Sequence, residues 1–291
     1  MSDAQRFDVI IKGGRLFDGS GGQSAVRHLG LRDGKVAVVS AQPLDERGCP
    51  EVIDAGGQWV MPGFIDTHTH YDAEVLASPG LLESVRHGVT SVIFGSCSVS
   101  AVCSDADDCS DMFTRVESVP REEVLPLLRR VKNWSSPGGY VQHLESLPLG
   151  PNVASFLGHS DLRVAVMGLS RAVDGNERPS ESELVEMEGL LGEALDAGLL
   201  GLSTMTTKWD KLDGERHRSA SLPSTYATWH EFRQLNKVLR ARGGIHQGAP
   251  NIVTKLNMFL YLFASFGLGR KPLRTTLITL MDVKSNPMLH R

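Results

Sequence analysis

The sequence contains no apolar run approaching the ~18 residues of a membrane span, and its longest candidate, Phe259 to Phe266, is of core length. Its first residues, Met1-Ser2-Asp3-Ala4-Gln5-Arg6, lack the basic-then-apolar layout of a signal peptide. It has no Lys/Arg cluster longer than the Arg129-Arg130 pair, and 34 acidic residues against 30 basic ones leave a formal charge of -4. That balance is not a nucleic-acid footprint. The four cysteines (Cys49, Cys97, Cys103, Cys109) form no CxxC pair. Without an export signal they are expected as thiols, in a cytoplasmic chain. There is no internal repeat or low-complexity tract. The expected partner is a small-molecule substrate, with no nucleic acid and no membrane; oligomeric state is not legible.

What remains is an ordinary globular composition. The 291 residues, 41% of them hydrophobic, suffice for a large core, and for one large domain or a large one with a small one. From Phe7 to Ile53 short alternating runs predict a strand at Asp8-Val9-Ile10-Ile11-Lys12, then a hairpin pairing Leu29 to Arg32 with Val36 to Val39 around Asp33-Gly34. Residues 1–59 are therefore expected as a small β unit. After Pro62-Gly63, strand-length apolar runs alternate with helix-patterned stretches, the βα rhythm of a parallel α/β sheet. Six strands are expected in residues 60–291: Gly63 to Thr67, Thr90 to Gly95, Asn152 to Leu157, Leu200 to Ser203, Gly244 to His246 and Thr275 to Leu280. The clearest helix begins at Ser180-Glu181-Ser182-Glu183, runs through Leu184, Met187, Leu190, Leu191 and Leu195, and stops at Gly198. Residues 104–120 and 204–228 read as long irregular loops, where barrel enzymes carry substrate contacts.

Chemistry concentrates at the strand ends. In Phe64-Ile65-Asp66-Thr67-His68-Thr69-His70 the period of two puts both imidazoles on one face, about 7 Å apart along the strand, close enough to meet at one cation. Asp66 or a backbone carbonyl is available to fix a tautomer. A bare HxH pair is common; here it follows a Pro-Gly turn and an apolar strand, where a strand enters the C-terminal face of an α/β barrel. Cys97 ends the second strand at the same level and His246 ends the fifth. A thiolate and a third imidazole there would extend a metal site, though a cysteine after a strand is also an ordinary core residue. His159 closes the third strand as a ligand, an oxyanion contact or a packed histidine. Cys103 and Cys109 are expected to be exposed loop residues. His28, His87, His143, His217, His230 and His290 are expected as surface or capping residues.

The run from Val60 to Asp72 resembles the first-strand signature of the amidohydrolase superfamily. Within it, Gly88 to Cys97 resembles the second strand of the N-acyl-D-amino-acid deacylases, or D-aminoacylases, in which a cysteine replaces the modified lysine of other subtypes as a metal ligand. Gly158-His159, Leu162 to Gly168 and Gly198 to Thr204 are similar to that family too. The resemblance implies a TIM-like (β/α) metal-dependent hydrolase barrel, with a β-sandwich subdomain built from both chain ends. It implies a zinc ion held tightly by Cys97, His246 and a sixth-strand histidine, and a second, weaker site at His68 and His70. That sixth-strand histidine is not evident: Asp282 and Lys284 stand where it belongs, as metal or substrate contacts along with His159, and His290 lies too far on. A full barrel takes about 250 residues, so strands seven and eight are expected to be absent, and with them the aspartate that serves as general base and acid. The barrel is expected to be incomplete, its catalytic residue unassigned. The implied activity is zinc-dependent hydrolysis of linear amides, foremost N-acyl-D-amino acids, with Lys208, Arg216, Arg218 and Ser224 as guesses for a substrate-carboxylate grip. The alternatives are a dihydropyrimidinase- or dihydroorotase-like cyclic amide hydrolase, or a fragment without activity.

Overall fold

The architecture comes from a computed structural model that describes residues 6–251 and 255–278. The chain divides into two compact units, residues 1–64 and 65–291.

The first unit is a five-stranded sheet built on β1 (Val9–Leu16). The hairpin of β2 (Ala25–Arg32) and β3 (Lys35–Ser40) lies antiparallel on one side of β1. On the other side β4 (Glu51–Asp54) pairs with the first half of β1 and β5 (Trp59–Val60) with the second, both parallel. The hairpin forms because Asp33 and Gly34 both take left-handed backbone angles, φ 52° and 70°. Such angles match the turn to the twist of the strands. Phe7, Ile10, Leu29 and Ala55 are buried. Gly30 makes room for the Phe7 ring, which a Cβ there would meet at 2.5 Å. Val36, Val38 and Val39 are exposed.

The second unit carries the βα rhythm. β6 (Phe64–Asp66), β7 (Val89–Phe94) and β8 (Asn152–Ser155) form one sheet in that order. β9 (Leu157–Gly158), β10 (Gly201–Met205), β11 (Ile245–Ala249) and β12 (Arg274–Leu277) form another. The pairs β7–β8, β9–β10, β10–β11 and β11–β12 are all parallel. Only Phe156 separates β8 from β9, and its N–H donates to the Phe94 carbonyl, so these strands continue one curved α/β wall. Every residue of β10 is buried, as a strand covered on both faces requires. Among the described residues β6 and β12 are the edges of this wall. A groove of 740 Å³, lined by Thr67, His68, Phe156, Ile245, Gln247 and Leu277 among others, opens inside it.

Helices cover the outside. Glu181–Asp196 starts on the predicted capping box: Ser180 accepts from the Glu183 N–H, and the Glu183 carboxylate from the Ser180 N–H. Trp229–Arg242 is capped by Thr228 and closed by left-handed Gly243. Residues 104–120 differ from expectation, because Ala106–Phe113 is a helix capped by Asp105. Its polarity hid it. Asp108 and Asp111 are buried there against Arg216 and Arg121, and a charge matched by a partner can be tolerated inside. Cys103 and Cys109 are correspondingly buried instead of exposed, and all four cysteines are free. Residues 204–228 are mostly irregular beyond β10, with a short 3-10 turn at Pro223–Tyr226 and a Lys211–Ser221 bridge. No helix of the described residues is long and apolar enough to cross a membrane.

Candidate metal centre

At the end of β6, Thr69 ties the chain to its neighbour, since both its N–H and its hydroxyl donate to the Ile93 carbonyl at 2.9 Å. Alternation then turns His68 and His70 together to the other side. Their ring centroids lie 5.2 Å apart, edge to face. Asp66 does not fix either ring; its Oδ1 accepts from the His68 backbone N–H at 3.3 Å.

Cys97 reaches the same place through an unusual turn. Leaving β7, the chain passes Gly95 at φ 71°, where a Cβ would strike the Phe156 carbonyl, and then Cys97 and Ser98 at φ 54° and 71°. Left-handed angles at non-glycine residues cost about 1–3 kcal/mol each and persist only where the surroundings over-determine them. Here they do. Gln247 Oε1 accepts from the Cys97 N–H at 3.3 Å and Ser203 Oγ from the Ser98 N–H at 3.1 Å. The Ser203 hydroxyl donates to the Gly95 carbonyl, and Asp72 Oδ2 accepts from the Gly95 N–H at 3.2 Å. Ser160 holds Ser98 by its N–H at 2.9 Å and shares a hydroxyl contact with it at 2.8 Å. Beyond the turn, Asp161 accepts from the Val102, Cys103 and Ser104 N–H groups and from two serine hydroxyls. That single buried carboxylate ties down the whole segment following Cys97.

The result is a compact set of donors. Cys97 Sγ lies 3.4 Å from His68 Nε2, and one donor atom each from His68, His70 and Cys97 lie within 4.8 Å of one another. The electrostatics suit a cation. Burial lowers His68 against the opposing charge of Asp66, and pushes His70 down to about 4 with His68 adding to the effect, which favours the neutral, lone-pair-bearing form of both rings. Burial pushes the Cys97 thiol up to about 12, with the charges of Asp210 and Glu117 adding to it. A thiolate there needs a nearby positive charge. Two imidazoles and a soft sulfur are a zinc donor set, and His68 presents Nε2 to the Cys97 sulfur at 3.4 Å. These residues fit a zinc ion.

The other residues singled out by sequence lie elsewhere. His246 is fully buried in β11, but strand alternation puts it on the opposite face from Gln247. Its Nε2 is 2.9 Å from the Thr204 hydroxyl, and its ring packs on Tyr261 at 5.1 Å. His159 is the first residue of the helix His159–Met167, also fully buried, bonded to Ser224 at 3.0 Å and to Glu231 at 2.7 Å. Glu231 pairs on its other oxygen with buried Arg163. His159 is thus a packed histidine joining two helices. Arg216 is engaged by Asp108 and Asp111, Arg218 lies 3.6 Å from Asp213, and Lys208 is exposed. Asp282, Lys284 and His290 lie outside the described residues. Sequence reading missed Gln247, Asp161, Glu231 and Glu117, whose Oε1 is 3.1 Å from His70 Nδ1. Asp161 and Arg163 carried a signal, charges inside an otherwise apolar helix; Glu117 carried none.

A parallel βα wall with metal donors at the C-terminal ends of its first two strands is the arrangement of a metal-dependent hydrolase barrel. The amidohydrolase family model matches residues 51–235, and the chain belongs to that family. It is 54% identical over 290 residues to an uncharacterised protein of Mycobacterium tuberculosis, covering 99% of this chain and 48% of that protein. It is 32% identical over 245 residues to the N-acyl-D-glutamate deacylase of Alcaligenes xylosoxydans xylosoxydans, covering 83% and 43%. In structure it is similar to an N-acyl-D-glutamate deacylase from Bordetella bronchiseptica complexed with zinc and a phosphonate inhibitor. The TM-score is 0.73 at 24% identity, over 98% of this chain and 54% of that one, which bears on the fold. The chain spans about half the length of the curated relatives it matches. The resemblance to the N-acyl-D-amino-acid deacylases, and the TIM-like α/β fold it implied, are borne out.

Proposed function

We propose that this chain carries the zinc centre of a hydrolase that deacylates N-acyl-D-amino acids. One observation carries the reading: His68, His70 and Cys97, from the ends of two neighbouring strands, bring their donor atoms within 4.8 Å of one another. A deacylase at 32% identity supports the substrate class. A zinc ion held there would supply a water of near-neutral pKa and a Lewis acid for an acyl carbonyl. His68 and His70 would hold it as neutral imidazoles and Cys97 as a thiolate. Gln247 and the left-handed turn hold the Cys97 backbone so that Sγ lies beside His68. His246 takes no part in this ligand set, because its ring faces the helices.

A second reading has its own observation. Among the described residues β6 and β12 are unpaired edges of an open wall, and closure is what completes a barrel core. On that reading the chain holds metal without turnover. The test is a panel of N-acetyl-D- and N-acetyl-L-amino acids and cyclic ureides, with zinc content measured on the parent and on His68→Ala and Cys97→Ala. Release of D-amino acids that stops on chelation, with metal lost in both variants, is the expected outcome. Cleavage of cyclic ureides alone would overturn the substrate class, unchanged metal in both variants would overturn the site, and metal without turnover would establish the second reading.

A further inference from the structure

We propose that Glu117 is a positioning residue for the metal centre: its carboxylate lies against His70 Nδ1 and, by holding the ring proton there, leaves Nε2 as the lone-pair nitrogen for the metal. The inference rests on the metal-centre reading above.

The geometry is local and specific. Glu117 Oε1 lies 3.1 Å from His70 Nδ1, and each side chain is 19% exposed. That is a hydrogen-bond length with the N–H pointing off the line, and such contacts tighten when a site is loaded. His70 Nδ1 makes no hydrogen bond of full geometry among the described residues, and the Glu117 carboxylate is the group set against it. Asp66, the acid nearest in sequence, is occupied by the His68 backbone. Glu117 does not belong to the group of donors lying within 4.8 Å of one another, so its contact is with His70 and not as a fourth member of that group.

Glu117 is also held from both sides. Its N–H continues the helix Ala106–Phe113 by donating to the Phe113 carbonyl at 3.0 Å, and Ser118 turns the chain at φ 55°. Two residues earlier, Arg115 donates to the Ser219 hydroxyl at 2.8 Å, which fastens this segment to the loop 204–228. The carboxylate is thereby presented to His70 by a braced backbone. An imidazole that binds metal through one nitrogen must carry its proton on the other, and a carboxylate acceptor there orients the ring and raises its basicity. Removing such partners typically weakens metal binding about 10–100-fold.

The test is cobalt(II) titration of the 291-residue chain after chelator dialysis. The thiolate-to-cobalt charge-transfer band reports Cys97, and competition with a chelator gives the affinity. Glu117→Ala is expected to bind about 10–100-fold more weakly while keeping the band at saturation. Glu117→Gln, still an acceptor, is expected to lose less, and it carries the test if the alanine variant melts early. In a His70→Ala background, Glu117→Ala is expected to cost nothing more. Unchanged affinity in Glu117→Ala, or an equal loss with and without His70, would overturn the role of Glu117 alone. A parent chain that gives no charge-transfer band would overturn the metal-centre reading, and this inference with it.

Discussion

The sheet of residues 6–64 and the βα wall after it are held by different means. In the first, backbone ladders run along strands whose valines stay exposed, and few apolar side chains are buried. In the second, buried polar groups are woven between strands and helices: Asp161 under the segment after Cys97, Glu231 between His159 and Arg163, Ser203 and Gln247 at the Cys97 turn. The difference teaches where a change is felt. A strand with a solvated face tolerates substitution, whereas a buried acceptor serving several donors strands all of them when removed.

The largest expected effect follows from that contrast. Asp161→Ala leaves three backbone N–H groups without their acceptor, and urea unfolding should show a loss of at least about 3 kcal/mol; a loss under 1 kcal/mol would break the comparison. Next comes acid. Burial holds His246 down to about 3, with His159 and Arg240 adding to the effect, against an ordinary value of 6.5. The unfolded chain therefore takes up a proton that the folded one refuses, so stability is complete above about 6.5 and falls as pH drops toward about 3. At about 1.4 kcal/mol per pH unit the ceiling is a few kcal/mol, and His246→Phe should flatten the slope of unfolding free energy between pH 6.5 and 4. An unchanged slope would place the acid sensitivity elsewhere. The smallest effect belongs to the first unit. Val38→Thr, on an exposed strand position, should change the unfolding free energy measured in urea by no more than about 0.5 kcal/mol, and a larger change would mean that this face is covered in solution.

Much of the wall was legible because strand length, apolar content and turn residues are local properties. The six expected barrel strands correspond to β6, β7, β8 with β9, β10, β11 and β12, apart from the part of the sixth beyond residue 278, which lies outside the described residues. The capped helix at Ser180 was legible for the same reason. The helix Ala106–Phe113 was not, since its buried aspartates look like surface residues until Arg121 and Arg216 arrive from other parts of the chain. That His68 and His70 share one face was readable from their spacing together with the Pro-Gly turn and apolar strand before them. His246 shows the limit of reading by level along a strand: position predicts height in the barrel, and parity decides which face the ring takes.

The sequence by itself determined the order of strands and helices, the HxH pair on one face and the free thiols, because each follows from periodicity or composition over a few residues. Tertiary structure decided how close Cys97, expected at the same level, comes to those histidines, and it alone decided that Gln247 holds its turn, that Asp161 holds the segment beyond, and that Glu117 comes to His70 from 47 positions away. Those contacts depend on how separate strands register and which way each side chain turns, and no local pattern carries that information.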